Sequence, residues 1–230
     1  MIPLKDDNPS RAFPIVTLLL IAVNTAVFVY QAALGRAAEA FVYRFGAIPW
    51  EITHVAELPD LPVSHVSPVP SPLTLVSSMF LHGGWLHLLG NMLYLWIFGD
   101  NVEALVGHLR FLVFYLLTGL CAALTHIFFE PNSPVPMIGA SGAISGVLGA
   151  YMIYYPVARV YVLVFLFFFV RIVRVPALIV LGIWFLIQIL NGFGTLGFQN
   201  TGGVAWFAHI GGFVFGILLI LLFPKKKYNS

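Results

Sequence analysis

Long apolar runs separated by short polar or proline-bearing joints set the pattern of this chain. Ala12 to Ala33 is the first run, about the length needed to cross roughly 30 Å of hydrocarbon, and Gly35 ends it. Arg36 to Ser71 follows as the one long connection. It holds Glu39, Glu51, Glu57, Asp60, His54 and His65, a proline-rich part (Pro59, Pro62, Pro68, Pro70), and Trp50, which suits a short interfacial element. A second span covers Trp85 to Phe98, with an earlier start near Leu75 left open, and a third covers Phe111 to Phe129. The fourth begins at Ser141 and should stop near Tyr155, because Pro156 disfavours helix at the residue before it. Ala177 to Leu190 and Gly203 to Phe223 complete a set of six.

Val157 to Val173 is the ambiguous stretch, since hydropathy alone makes it a seventh crossing. Charge decides against that. With six spans and an inside N-terminus, Lys5, Arg11, Arg110, Arg159, Arg171, Arg174, Lys225, Lys226 and Lys227 gather on the cytoplasmic side, and only Arg36 and Arg44 lie outside, so nine of the 11 cationic residues obey the positive-inside bias. The stretch is therefore read as a hydrophobic, β-branched or interfacial part of a cytoplasmic connection. The resulting division is a cytoplasmic segment 1–11, a membrane domain 12–223 and a basic tail 224–230.

Composition agrees with a membrane setting. Hydrophobic residues make up 60% and charged residues 9%, with mean hydropathy +0.96, whereas soluble domains carry nearer a quarter charged. A net charge of +2 without an aromatic-interleaved basic patch gives no footprint for nucleic acid. The single cysteine, Cys121, offers neither a disulfide framework nor a metal pair. No small-residue cleavage site follows the N-terminal charges, so no removable signal peptide is expected.

Two small-residue ridges carry the chemistry. Gly142, Gly146 and Ala150 recur every four residues, as do Ala208, Gly212 and Gly216, so each set forms a flat stripe on which another helix packs closely. Ser141 precedes the first stripe and His209 follows the first member of the second. If the stripes face each other, a hydroxyl and an imidazole meet at one end of the contact, a candidate nucleophile beside a candidate base. From Ser141 to Tyr155 and from His209 to Phe223 is about 21 Å of helix in each case, so both sit at similar depth. The fourth span is too short to cross alone. Its outer third is then the irregular segment Pro131 to Gly139, which is tolerated at that depth only where it is buried in protein or lines a wet cavity.

His87 and Asn91 are four apart on the second span and share a helix face. Both can donate hydrogen bonds, as can the Ser141 N–H at a helix start, and donors aimed at a serine are what a developing oxyanion needs. All nine acids lie in loops or at interfaces, so a Ser–His dyad is expected rather than a triad. Neither paired intramembrane aspartates nor HExxH is present. His54, His65, His108 and His126 lack ligand spacing, and neither metal nor cofactor is implied.

These residues bring the chain to a family. From about Ala12 to Phe223 it resembles the rhomboid intramembrane serine proteases, through GASG at Gly139 to Gly142, AHIGGFVFG at Ala208 to Gly216, and His87 and Asn91 within MFLHGGWLHLLGN. The resemblance implies an all-α, six-transmembrane-helix bundle in a prokaryotic inner membrane. In it Ser141 attacks a peptide bond and His209 takes its proton, while His87, Asn91, Gly139 and the Ser141 amide form the oxyanion and substrate-binding site. It further implies transmembrane protein substrates that enter laterally from among the membrane lipids, with Trp184 and Phe185 as gate residues. Two features depart from the family. Leu73 and Thr74 stand where many members have Trp-Arg, and Ser145 stands where some have a tyrosine that stacks on the base, which leaves Trp206 or Phe207 to orient His209 and makes Ser145 a second hydroxyl to test. The rival readings are a rhomboid-like protein that binds transmembrane helices without cutting them and, more weakly, a transporter.

Overall fold

Helix α1, Ile15–Ala33, starts directly after Pro14, and its first turn is held from outside. The buried carboxylate of Glu103 accepts hydrogen bonds from the Val16 and Thr17 N–H groups, both at 2.8 Å, and from the Thr17 hydroxyl at 2.7 Å. A negative charge at a helix N-terminus meets the free N–H groups and the positive end of the dipole at once. Residues 2–10, 12–58, 67–166, 169–194 and 203–226 are described by this computed structural model. Arg11, Pro59, Asp60, Pro62, His65 and Lys227, named above, lie outside them.

After α1 the long connection forms α2 (Ala38–Phe45), α3 (Pro49–His54) and α4 (Ser71–Ser77). Trp50 stacks on His54 within α3, at 4.4 Å between ring centroids. Helix α5 runs Trp85–Val106, two turns beyond the expected end at Phe98, because the carboxylate that seemed to mark an interface, Glu103, finds partners in α1 and in His108. Gly107, at φ +89°, turns the chain into α6, His108–Phe129. Helices α7 (Ser141–Tyr154), α8 (Ala177–Gly194) and α9 (Trp206–Ile220) complete the helical set. Among the described residues α1, α6 and α8 are long and apolar enough to cross a membrane alone, and α7 and α9 are shorter apolar helices.

The expectation of an all-α fold is corrected by a three-stranded antiparallel sheet of β1 (Ile2–Asp6), β2 (Arg159–Leu166) and β3 (Phe169–Pro176), in the order β1-β2-β3. β2 and β3 pair from Arg159↔Pro176 to Leu166↔Phe169, so the ambiguous stretch is a hairpin. Its valines, isoleucine and aromatics fit a pleated surface better than a helix, and Val160 and Val162 are buried by it.

Helix α7 is the centre of the bundle. Every residue from Gly142 to Tyr151 is buried, as expected for a helix packed on all sides. Its contact with α9 is backbone on backbone: a Cβ on Gly212 would lie 2.1 Å from the Gly142 carbonyl oxygen, and one on Gly216 would lie 2.2 Å from that of Gly146. The two small-residue ridges therefore meet. Gly142 and Gly146 also admit α6, whose Ala122 and Thr118 occupy the places their own Cβ atoms would take.

Candidate active site

The clasp of α7 and α9 puts Ser141, the first residue of α7, beside His209 in the first turns of α9. Nε2 of His209 lies 2.8 Å from Oγ of Ser141. The loop before α7 is pinned to its surroundings, as Met137 and Ala47 exchange both backbone hydrogen bonds and Gly139 N–H donates to the Ser78 carbonyl at 2.9 Å. Gly139 adopts φ +120°, a region that disfavours any side chain. A Cβ there would also lie 2.8 Å from the tip of the His87 ring and 3.6 Å from Oγ of Ser141. Glycine at 139 thus lets the ring of His87 approach the serine.

His87 and Asn91, one turn apart on α5, line the same cavity as Ser141 and His209. The Gly83 N–H donates to Nδ1 of His87 at 3.3 Å, so in the neutral ring the proton sits on Nε2, the nitrogen nearest Gly139. Nδ2 of Asn91 is buried without an acceptor. The cavity has a volume of about 610 Å³, and its wall includes the irregular loop residues Ser133 and Val135 to Ile138. Trp184 lines it as well, whereas Phe185 stacks on Phe213 at 4.3 Å.

Other candidates fall differently. The Ser145 hydroxyl is buried and donates to the Ser141 carbonyl at 2.6 Å. Trp206 meets His209 edge-on with centroids 6.2 Å apart, and Trp184 lies 5.9 Å from it; Phe207 stacks on Phe129 instead. His126, set aside above, lines the cavity, with Nε2 4.0 Å from the Glu130 carboxylate. Gln188 of α8 escaped the sequence reading altogether: its Oε1 lies 2.9 Å from Nδ1 of His209. The available signal was a pair of amides, Gln188 and Asn191, in an otherwise apolar helix. No group of three metal-ligating side chains occurs among the described residues.

The family model described as Rhomboid domain matches residues 70–226, more than half of the chain and all of the helices that carry Ser141, His209, His87 and Asn91. The chain belongs to the rhomboid family. It is similar to Rhomboid protein 1, mitochondrial, of Saccharomyces cerevisiae, at 28% identity over 155 residues, covering 65% of this chain and 41% of that protein. It is also similar to the Rhomboid protease GluP of Bacillus subtilis, at 33% over 142 residues, covering 62% of this chain and 24% of that protein. With the Rhomboid protease AarA of Providencia stuartii it shares 28% over 154 residues, 60% of this chain and 50% of that one. The matched part thus spans half or less of these relatives. Family and apolar helices together make the chain a membrane protein.

Proposed function

We propose that this rhomboid-family chain is an intramembrane serine endopeptidase that hydrolyses peptide bonds in or near transmembrane segments of other membrane proteins. The 2.8 Å approach of Nε2 of His209 to Oγ of Ser141 carries the reading. Ser141 Oγ attacks the carbonyl carbon as its proton passes to Nε2. The tetrahedral intermediate then carries an oxyanion that Nδ2 of Asn91, Nε2–H of His87 and the Ser141 N–H would stabilise as donors. Collapse breaks the C–N bond, with the proton on His209 passing to the leaving amine, and an acyl-enzyme remains. Water from the cavity, activated by His209, then releases the acid and restores the serine.

Six crossings, α1 and α5 to α9, form the bundle in this reading, with the hairpin and both termini on the cytoplasmic side. Substrate helices reach the cavity laterally from the lipid, past Trp184. Ser145 has its hydroxyl engaged and serves packing.

The test uses the full chain in liposomes with a reporter transmembrane substrate. Ser141→Ala and His209→Ala should each abolish cleavage without loss of folding, and a fluorophosphonate probe should label Ser141 in the unsubstituted chain only. Cleavage surviving in either variant rejects the assignment. An unsubstituted chain that binds the reporter but neither cuts it nor takes the probe would instead support the helix-binding reading.

A further inference from the structure

We propose that Gln188 is a positioning residue of this site: it fixes the proton of His209 on Nδ1 and so leaves Nε2 bare to receive the proton of Ser141. The inference rests on the serine-protease reading above. It follows from two hydrogen bonds whose polarity can be assigned. Nε2 of Gln188 lies 3.0 Å from the Trp184 carbonyl oxygen, which only accepts, so the amide nitrogen must face it and the amide oxygen must face the other way. That oxygen lies 2.9 Å from Nδ1 of His209. An amide oxygen also only accepts, so Nδ1 carries the hydrogen. In a neutral imidazole the other nitrogen is then a lone pair, and it is the one 2.8 Å from Ser141 Oγ.

The opposite tautomer would set two lone pairs against each other at Nδ1, inside a wall where Gln188 and His209 are both buried. Unpaired buried acceptors are costly, so the ring is held in the form that can act as a base. Once Nε2 takes a proton, the Nδ1–H becomes charge-assisted and its bond to the amide oxygen strengthens. Gln188 supplies orientation and a dipole, but no negative charge. The other groups facing the ring are the indoles of Trp184 and Trp206 and, among titratable side chains, His87 of α5 and His126 of α6. The candidate nucleophile stands on α7, the base on α9 and the orienting acceptor on α8. Of α8 only Ala177, Val180, Leu181, Gln188 and Gly192 are buried. The base is therefore competent only while α8 keeps its seat against α9.

The experiment compares the unsubstituted chain with Gln188→Leu and Gln188→Glu in liposomes, reading kcat, KM and the pH profile of kcat. Gln188→Leu removes the acceptor at similar volume. Its kcat should fall about tenfold or more, and by no more than the roughly 10²- to 10⁴-fold that a general base itself contributes, with KM unchanged. Gln188→Glu restores an oxygen at that place and should keep kcat near the original at its own optimum. Its negative charge favours the protonated ring, so the acidic limb of its profile should move to higher pH. Original kcat in Gln188→Leu, or Gln188→Glu as slow as Gln188→Leu, overturns the proposal. Superposable pH profiles for Gln188→Glu and the unsubstituted chain also overturn it, and this last comparison decides alone should Gln188→Leu fail to fold. Cleavage persisting in Ser141→Ala or His209→Ala would remove the underlying reading instead, whatever the Gln188 variants do.

Discussion

A buried N–H group without an acceptor costs about 1–3 kcal/mol, and Nδ2 of Asn91, a residue that lines the cavity, is in that position. If Asn91 were interhelical glue its amide would have a partner. An unpaired donor on a residue that lines the cavity is instead what a site for a transient oxyanion would require before substrate arrives. Asn91→Ala should therefore lower kcat about 10²- to 10³-fold with little change in melting temperature. A lost melting temperature with unchanged specific activity would return the residue to packing. His87 and Asn91 stood out in the sequence because polar groups are expensive in an apolar helix. Gln188 obeys the same rule and still went unread. Its partner is 21 positions away on another helix, and only the rotation of α8 decides whether its amide faces lipid or the ring of His209.

At the scale of elements, the meeting of α7 and α9 could be read from spacing, since glycines four apart leave a groove whatever surrounds them. Gly216→Ala would put a methyl carbon 2.2 Å from the Gly146 carbonyl oxygen, which is backbone and cannot swing aside. It should destabilise the fold by about 1–3 kcal/mol or more and reduce cleavage by shifting His209. Gly182→Ala on α8 meets nothing within 4 Å, so in the same thermal scan it should be neutral or slightly stabilising, as alanine outranks glycine in a helix. The sheet was less readable. β1 is five residues with a proline and two charges, and its partner lies more than 150 positions on, so no local pattern announces it.

That strand carries a titratable contact. Asp6 accepts hydrogen bonds from the Tyr151 hydroxyl and, at 3.2 Å, from the Asn101 amide. Burial raises its carboxyl above the ordinary 3.8, an effect that the Tyr151 bond opposes and the neighbouring Asp7 charge reinforces. The docked strand then holds a proton more tightly than an undocked one, so docking is strongest below the ordinary carboxylate range and weakens as pH rises through the raised value. Exchange protection of amides 2–6, corrected for intrinsic rates, should fall as pH rises from the ordinary carboxylate range through the raised value of Asp6. Asp6→Asn should flatten that dependence. A dependence unchanged in Asp6→Asn would mean that another group governs the strand.

Over the whole molecule, charge is sorted by end. Lys5 and Arg174 both lie over the Tyr161 ring, Lys225 lies over Tyr154, and Arg110 donates to the Pro224 carbonyl, so the sheet, the α5–α6 turn and the chain's last described residues share one basic end. Arg44 belongs to the other end, where its carbonyl accepts from Ser67 and where the preceding loop of Ser141 is pinned to Ala47. Cationic residues in short connections stay on the cytoplasmic side during insertion, and moving one through the hydrocarbon centre costs about 2.5–3.5 kcal/mol. The basic end should therefore face the cytoplasm and the cavity should open near the outer leaflet. In a Cys121→Ala background expressed in bacterial cells, a membrane-impermeant maleimide should label Glu39→Cys on intact cells and Pro9→Cys only after permeabilisation. The reverse pattern would put Ser141 at the cytoplasmic leaflet and would redirect the search for substrates to helices with scissile bonds on that side. Labelling of both residues on intact cells would put residues 9 and 39 on the same side and make the number of crossings between them even, contrary to α1 as a single crossing.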